Sequence, residues 1–138
     1  MNNNKRRDKS IKKYVEAELE NYQLLKKERE EIRAEIILST LRPDTQPKSK
    51  QISRITENKA CDLTDNIRLR QIDISIKAIE KVLSQLEDEK RAFIKCKYWE
   101  RRFTAQGLAD RFNINLITAW RWSEAVIEQI AREMGIKQ

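Results

Sequence analysis

Arg121 is the residue in this chain best fitted to read the edge of a base pair. Its planar guanidinium matches the two acceptors that guanine presents in a DNA major groove. Around it the chain runs NLITAWRWSE, and helical spacing turns Leu116, Ile117, Trp120, Arg121 and Glu124 outward, opposite Ala119, Trp122 and Val126. Leu116 or Ile117 can meet a thymine methyl, while Asn115 and Thr118 can bond a phosphate or a base. Trp120 admits two readings, a contact to DNA or packing under a neighbouring helix. Arg121 has a plainer alternative of its own, a surface ion pair with Glu124 or Glu128. A basic cluster precedes this run: Lys90, Arg91, Lys95 and Lys97, then Arg101 and Arg102, interleaved with aromatics. Such a run is usually a solvated face. Beside a groove-reading helix it is placed to grip phosphates, and Lys95, Arg101 and Arg102 are taken as those contacts.

Two helices must position these residues. Thr104 is a suitable N-cap, and Ala105 to Phe112 put Leu108, Ala109 and Phe112 on one face. Asn113, Ile114 and Asn115 interrupt the periodicity, Asn tolerating left-handed backbone and Ile114 filling the angle between the helices. Asn115 caps the next helix, with apolar side Ala119, Trp122, Val126, Ile130 and Met134, until Gly135 stops it. This is the spacing of a helix-turn-helix, the unit that seats a recognition helix in the major groove.

Composition narrows the choice of class. The 138 residues are 39% hydrophobic and 37% charged, with net charge +7 and two each of Gly and Pro. That predicts an all-α chain of long helices with a thin core and a polyanionic partner. No His is present, Cys61 and Cys96 lie far apart, and no Gly-rich phosphate loop occurs. An enzyme, a zinc site, a bound cofactor and a disulfide framework are therefore not expected. Neither a membrane-spanning run nor a signal core is visible, so a cytoplasmic protein away from the membrane is expected.

Residues 1–9 are polar and expected to be disordered, and a helical arm is expected up to residue 41 with a seam of Tyr22, Leu25, Ile32 and Ile36. The segment 42–58 holds Pro43 and Pro47 and reads as a linker. A helical domain is expected over 59–138, with the helix-turn-helix portion from about 87. Within it Leu69, Ile72, Ile76, Ile79, Leu83 and Leu86 form an unbroken 3-4 seam. The seam fits either the core of a monomeric bundle or a homodimer interface through 62–86. A helix over 87–100 follows, turning Phe93, Ile94, Tyr98 and Trp99 inward.

Residues 104–127 resemble the fourth region of bacterial sigma factors in the Thr-capped first helix, Ala109, the short turn with Ile114 and the longer second helix. Across 58–136, RLRQIDISIKAIEKVLSQL, KRAFIKCKYWERR and the closing IAREMGI resemble the RinA and ArpU families of phage late-gene regulators. The resemblance implies long N-terminal helices before a C-terminal helix-turn-helix, and a regulator, chiefly an activator, of packaging and morphogenesis genes. It implies double-stranded DNA as partner, with RNA polymerase as a further one. It would turn Asn115, Leu116, Ile117, Trp120 and Arg121 toward DNA, although Leu116, Ile117 and Trp120 stand where sigma factors often carry polar residues. Two other classes stay open. One is a small terminase subunit, whose helix-turn-helix generally lies toward the other end of the chain. The other is a helical interaction protein that never touches DNA.

Overall fold

The computed structural model describes residues 2–41 and 48–137, with side chains at 3–41 and 63–137. All the regular structure among them is helical: α1 (Asn2–Glu20), α2 (Tyr22–Leu41), α3 (Lys48–Gln85), α4 (Asp88–Lys95), a π-helical turn (Cys96–Glu100), α5 (Ala105–Arg111) and α6 (Leu116–Glu133). The chain divides into two compact units, Met1–Tyr22 with Ser75–Gln138, and Gln23–Ile74.

In the first unit α1 packs against α6 and against the π turn. Its apolar stripe, half-buried Ile11 with buried Val15 and Leu19, continued by Tyr22 at the start of α2, explains why. Spacings of 4, 4 and 3 place these four on one face. Residues 2–9 are thus helical, not disordered as expected, because this stripe anchors the helix whose first turns they form. Trp99 fixes its far end: Nε1 donates to the Leu19 carbonyl at 2.9 Å, and its ring stacks on Tyr22 at 5.1 Å. That carbonyl lies in the last turn of α1, where the helix leaves acceptors unpaired.

The expected 87–100 helix changes pitch at Cys96, where the π turn begins, and ends at Arg101 in the left-handed region (φ 55°) with its N–H on the Cys96 carbonyl. Phe93, Ile94 and Tyr98 are buried as expected, and Trp99 is half-buried. Phe93 meets the rings of Phe112 and Trp122 edge-on, both at 5.5 Å, and so ties α4 to both members of the helix pair. Arg91 reaches back to the end of α3, donating to the carbonyls of Leu83 and Leu86 at 2.8 Å each. It serves as a cationic C-cap where no glycine is available.

In the second unit α2 and α3 are joined by ion pairs. Arg68 forks onto Glu28 with two bonds of 2.9 Å, and Asp73 lies 3.6 Å from both Arg29 and Arg33. Buried Leu25, Ile32 and Ile72 are its apolar contribution among the described side chains. Part of the expected linker is helical: α3 begins at Lys48, while 42–47 lie outside the described residues. Both prolines precede Lys48 and neither Pro nor Gly follows up to Gln85, so nothing breaks the helix once it has started. The expected division into an arm at 1–41, a linker at 42–58 and a domain at 59–138 also differs from the observed one. Here α1 belongs with the C-terminal helices, and the long helix α3 runs from one unit into the other.

The α3 seam is occupied within the chain. Ile72, Ile76, Ile79 and Leu83 are buried, and Leu69 and Leu86 half-buried. This is the core reading of the two that the spacing allowed.

Candidate nucleic-acid interface

The helix pair is built by local chemistry at each end. Thr104 Oγ1 accepts from the Gly107 N–H at 3.0 Å, and Asn115 Oδ1 accepts from the Thr118 N–H at 2.7 Å. Both caps fall where the sequence puts them. At Gly107 an added Cβ would lie 3.1 Å from Thr104 Oγ1, so the missing side chain lets the cap close. Asn113 takes the left-handed conformation (φ 55°) between the helices. The Asn113 and Ile114 N–H groups then bond the carbonyls of Asp110 and Ala109 in a Schellman closure. Gly135 (φ 80°) and Ile136 repeat the motif at the end of α6, on Arg132 and Ala131. Behind the pair, Leu108, Ala109, Ala119, Ser123, Val126, Ile127, Ile130 and Ala131 are buried. Trp122 and Met134 are half-buried at its edges.

On the other side of α6 the first two turns stand clear. Leu116 is 47% exposed, Ile117 62% and Trp120 60%, with Asn115 and Arg121 also exposed and Thr118 half-buried. Arg121 makes neither of the ion pairs the sequence offers it. Glu124 pairs with Lys12 of α1, and Glu128 with Arg132 (2.8 Å) and Lys137 (3.7 Å). The guanidinium therefore stays available beside three apolar side chains. Glu124, grouped with the outward residues by spacing, turns to α1 and is half-buried. Its carboxylate accepts a hydrogen bond from Lys12 and holds that ammonium above the usual lysine range.

The basic cluster is not gathered on α6. Lys95 is exposed, 6.0 Å over the Trp99 ring, and Arg101 lies 3.9 Å from Glu20 at the end of α1. Arg102 sits 3.4 Å from Glu100. Lys90 covers the Trp122 ring at 5.7 Å, and Arg91 caps α3. Lys97 is drawn inward: its ammonium donates to Ser123 Oγ at 2.7 Å, and burial pulls its pKa below the ordinary lysine value. Burial beside Glu16 raises the Tyr98 phenol well above its ordinary range, so its hydroxyl stays protonated and donates to Glu16 at 3.2 Å. Lys95, Arg101 and Arg102 are thus solvent-facing cations on or just beyond the segment that meets the end of α1.

Sequence reading missed the approach of α1. A groove beside α6 is lined by Lys9, Ile11 and Lys12 on one wall and by Trp120, Glu124 and Ile127 on the other. The available signal was the stripe Ile11, Val15, Leu19 and Tyr22. Among the described residues no three His, Cys, Asp or Glu side chains are grouped to hold a metal ion, and no helix is long and apolar enough to cross a membrane. No protein family, curated protein or solved structure matches the chain.

Proposed function

We propose that this protein is a sequence-specific DNA-binding regulator of transcription whose α5–α6 pair acts as a helix-turn-helix like that of sigma factor region four. On this reading the first turns of α6 enter the major groove of promoter DNA. The observation that supports it most is Arg121, unpaired among the described residues, beside Asn115, Leu116, Ile117 and Trp120, with a helix capped at its start and backed by a packed core. A rigid element presenting a bidentate donor beside methyl-reading apolar groups is what direct readout requires. The RinA and ArpU resemblance makes activation of phage or prophage late genes, in the cytoplasm and with RNA polymerase as second partner, the biological setting. A homodimer through α3 would use Leu63, Ile67 and Ile74, which are exposed.

The test is retention of tiled fragments of the source genome in the presence of excess random DNA at physiological salt. One or two fragments should be held, and Arg121→Ala should weaken them by about 1–3 kcal/mol while relaxing discrimination at one base pair. Equal, salt-labile retention of all fragments would sink the reading. It would favour a second one: that Leu116, Ile117 and Trp120 form a docking patch for another protein, since such exposed apolar groups also mark protein interfaces.

A further inference from the structure

We infer that α1 is a second DNA-contacting element. Lys9 and Lys13 would hold phosphates at the rim of the groove that α6 enters, and Lys12 would neutralise Glu124 on the flank between them. This rests on the proposed DNA reading and extends it to a helix that carries no recognition motif.

Charge is the first argument. Residues 2–13 hold Lys5, Arg6, Arg7, Lys9, Lys12 and Lys13 against Asp8 alone, a local excess of +5 within a chain whose net charge is +7. Most of the protein's imbalance therefore sits in three turns of one helix. Placement is the second. The last of those turns lies beside α6, where Lys9 and Lys12 share a groove with Trp120 and Lys12 pairs with Glu124, while Arg7 lies by Gly135 and Lys137 past the far end of that helix. Lys9 and Lys13 are four residues apart, and both are exposed. Neither forms an ion pair or hydrogen bond with any other described residue.

The acids facing this row are accounted for on both helices. Glu124 is held by Lys12, and Glu128 by Arg132 and Lys137. Glu16 accepts from Tyr98. Asp8 is exposed at the groove and is the one acid among the six cations. A duplex approaching Trp120 and Arg121 would thus meet lysines on the α1 side, with the carboxylate of α6 nearest to them already compensated. Polyanionic duplex DNA complements such a surface, and each lysine that neutralises a phosphate releases condensed counterions.

The experiment uses the full chain with the retained fragment, and measures affinity across a salt series for wild type, Lys9→Ala/Lys13→Ala, Lys9→Arg/Lys13→Arg and Arg121→Ala. Losing two phosphate contacts should make the slope of log affinity against log salt shallower by about 1.8. Preference for the retained fragment over random DNA should stay the same, and the arginine pair should restore the slope. Thermal unfolding of the double alanine variant should match wild type, since both side chains are exposed. An unchanged slope, with Arg121→Ala still weakening the fragment, overturns the role of α1 and leaves the DNA reading standing. If wild type shows no fragment preference and Arg121→Ala is silent, both fall together.

Discussion

The two units hold their helices together by different means. In the first, the α4–α6 region interlocks: Phe93 touches two rings, Trp99 anchors α1, Arg91 closes α3, and the α5–α6 pair has a side-chain cap at each start and a Schellman closure at each end. In the second, α2 and α3 lie together through partly exposed ion pairs, with Leu25, Ile32 and Ile72 the buried apolar residues among the described side chains. Packing gains scale with apolar surface removed from water, whereas exposed ion pairs are weak and screened by salt. The contrast assigns geometric precision to the end bearing the candidate interface. It makes α2 the helix expected to open first, in the sense of local unfolding measured by amide exchange.

Substitutions on either side can break that contrast. Phe93→Ala should have the largest effect, destabilising the protein by about 3–5 kcal/mol in denaturant unfolding, because a buried ring and two edge-on contacts are lost together. A cost below about 1 kcal/mol would mean that the aromatic cluster is not what holds α4 to the helix pair. Asn115→Ala should cost about 1 kcal/mol by removing the cap acceptor, and Asn115→Gly only a few tenths. Equal losses for the two would show that the cap contributes through something other than its hydrogen bond.

The smallest effect is expected at the Glu28–Arg68 pair. The Arg68 guanidinium bonds the Glu28 carboxylate and holds its pKa below the ordinary 4.5. A depressed carboxylate pKa stabilises the fold above the unfolded value, and that contribution disappears as pH falls through the folded one. With both side chains about two-fifths exposed, the pair should contribute less than about 1 kcal/mol near neutrality. Arg68→Ala should therefore flatten the acid limb of stability below the ordinary 4.5 only slightly, and high salt should mask the change. A larger loss would mean that the second unit depends on this pair as the first depends on Phe93.

What could be read from the residues alone follows the range of the interactions. Thr104, Asn113, Asn115 and Gly135 act within five residues of themselves, so both caps, the turn and the end of α6 were legible, as were the outward Leu116, Ile117, Trp120 and Arg121. The helical state of 2–9 was not, because it depends on α1 finding α6 far along the chain. Glu124 was misplaced for the same reason, its partner Lys12 lying on a distant segment. The start of α3 was obscured by polar composition, which outweighed the simpler fact that neither Pro nor Gly occurs between Pro47 and Gln85. The π turn has no local marker, since CKYWE is as suited to an ordinary α-helix, and only the fit of Tyr98 and Trp99 against α1 discriminates. The core role of the α3 seam could not be chosen over a dimer because the spacing is common to both.

The distance along the chain between α1 and its partners sets an order of events. The Leu19 carbonyl meets its donor 80 residues later and Glu16 meets Tyr98 82 residues later. At the roughly 5–20 residues per second of ribosomal synthesis, about 4–16 s separate the polymerisation of Leu19 from that of Trp99. During that wait the six cations of α1 would keep it solvated and repel other nascent copies. The charge concentrated in α1 would thus act before α1 is packed, keeping apart segments whose apolar stripes have nothing yet to cover them.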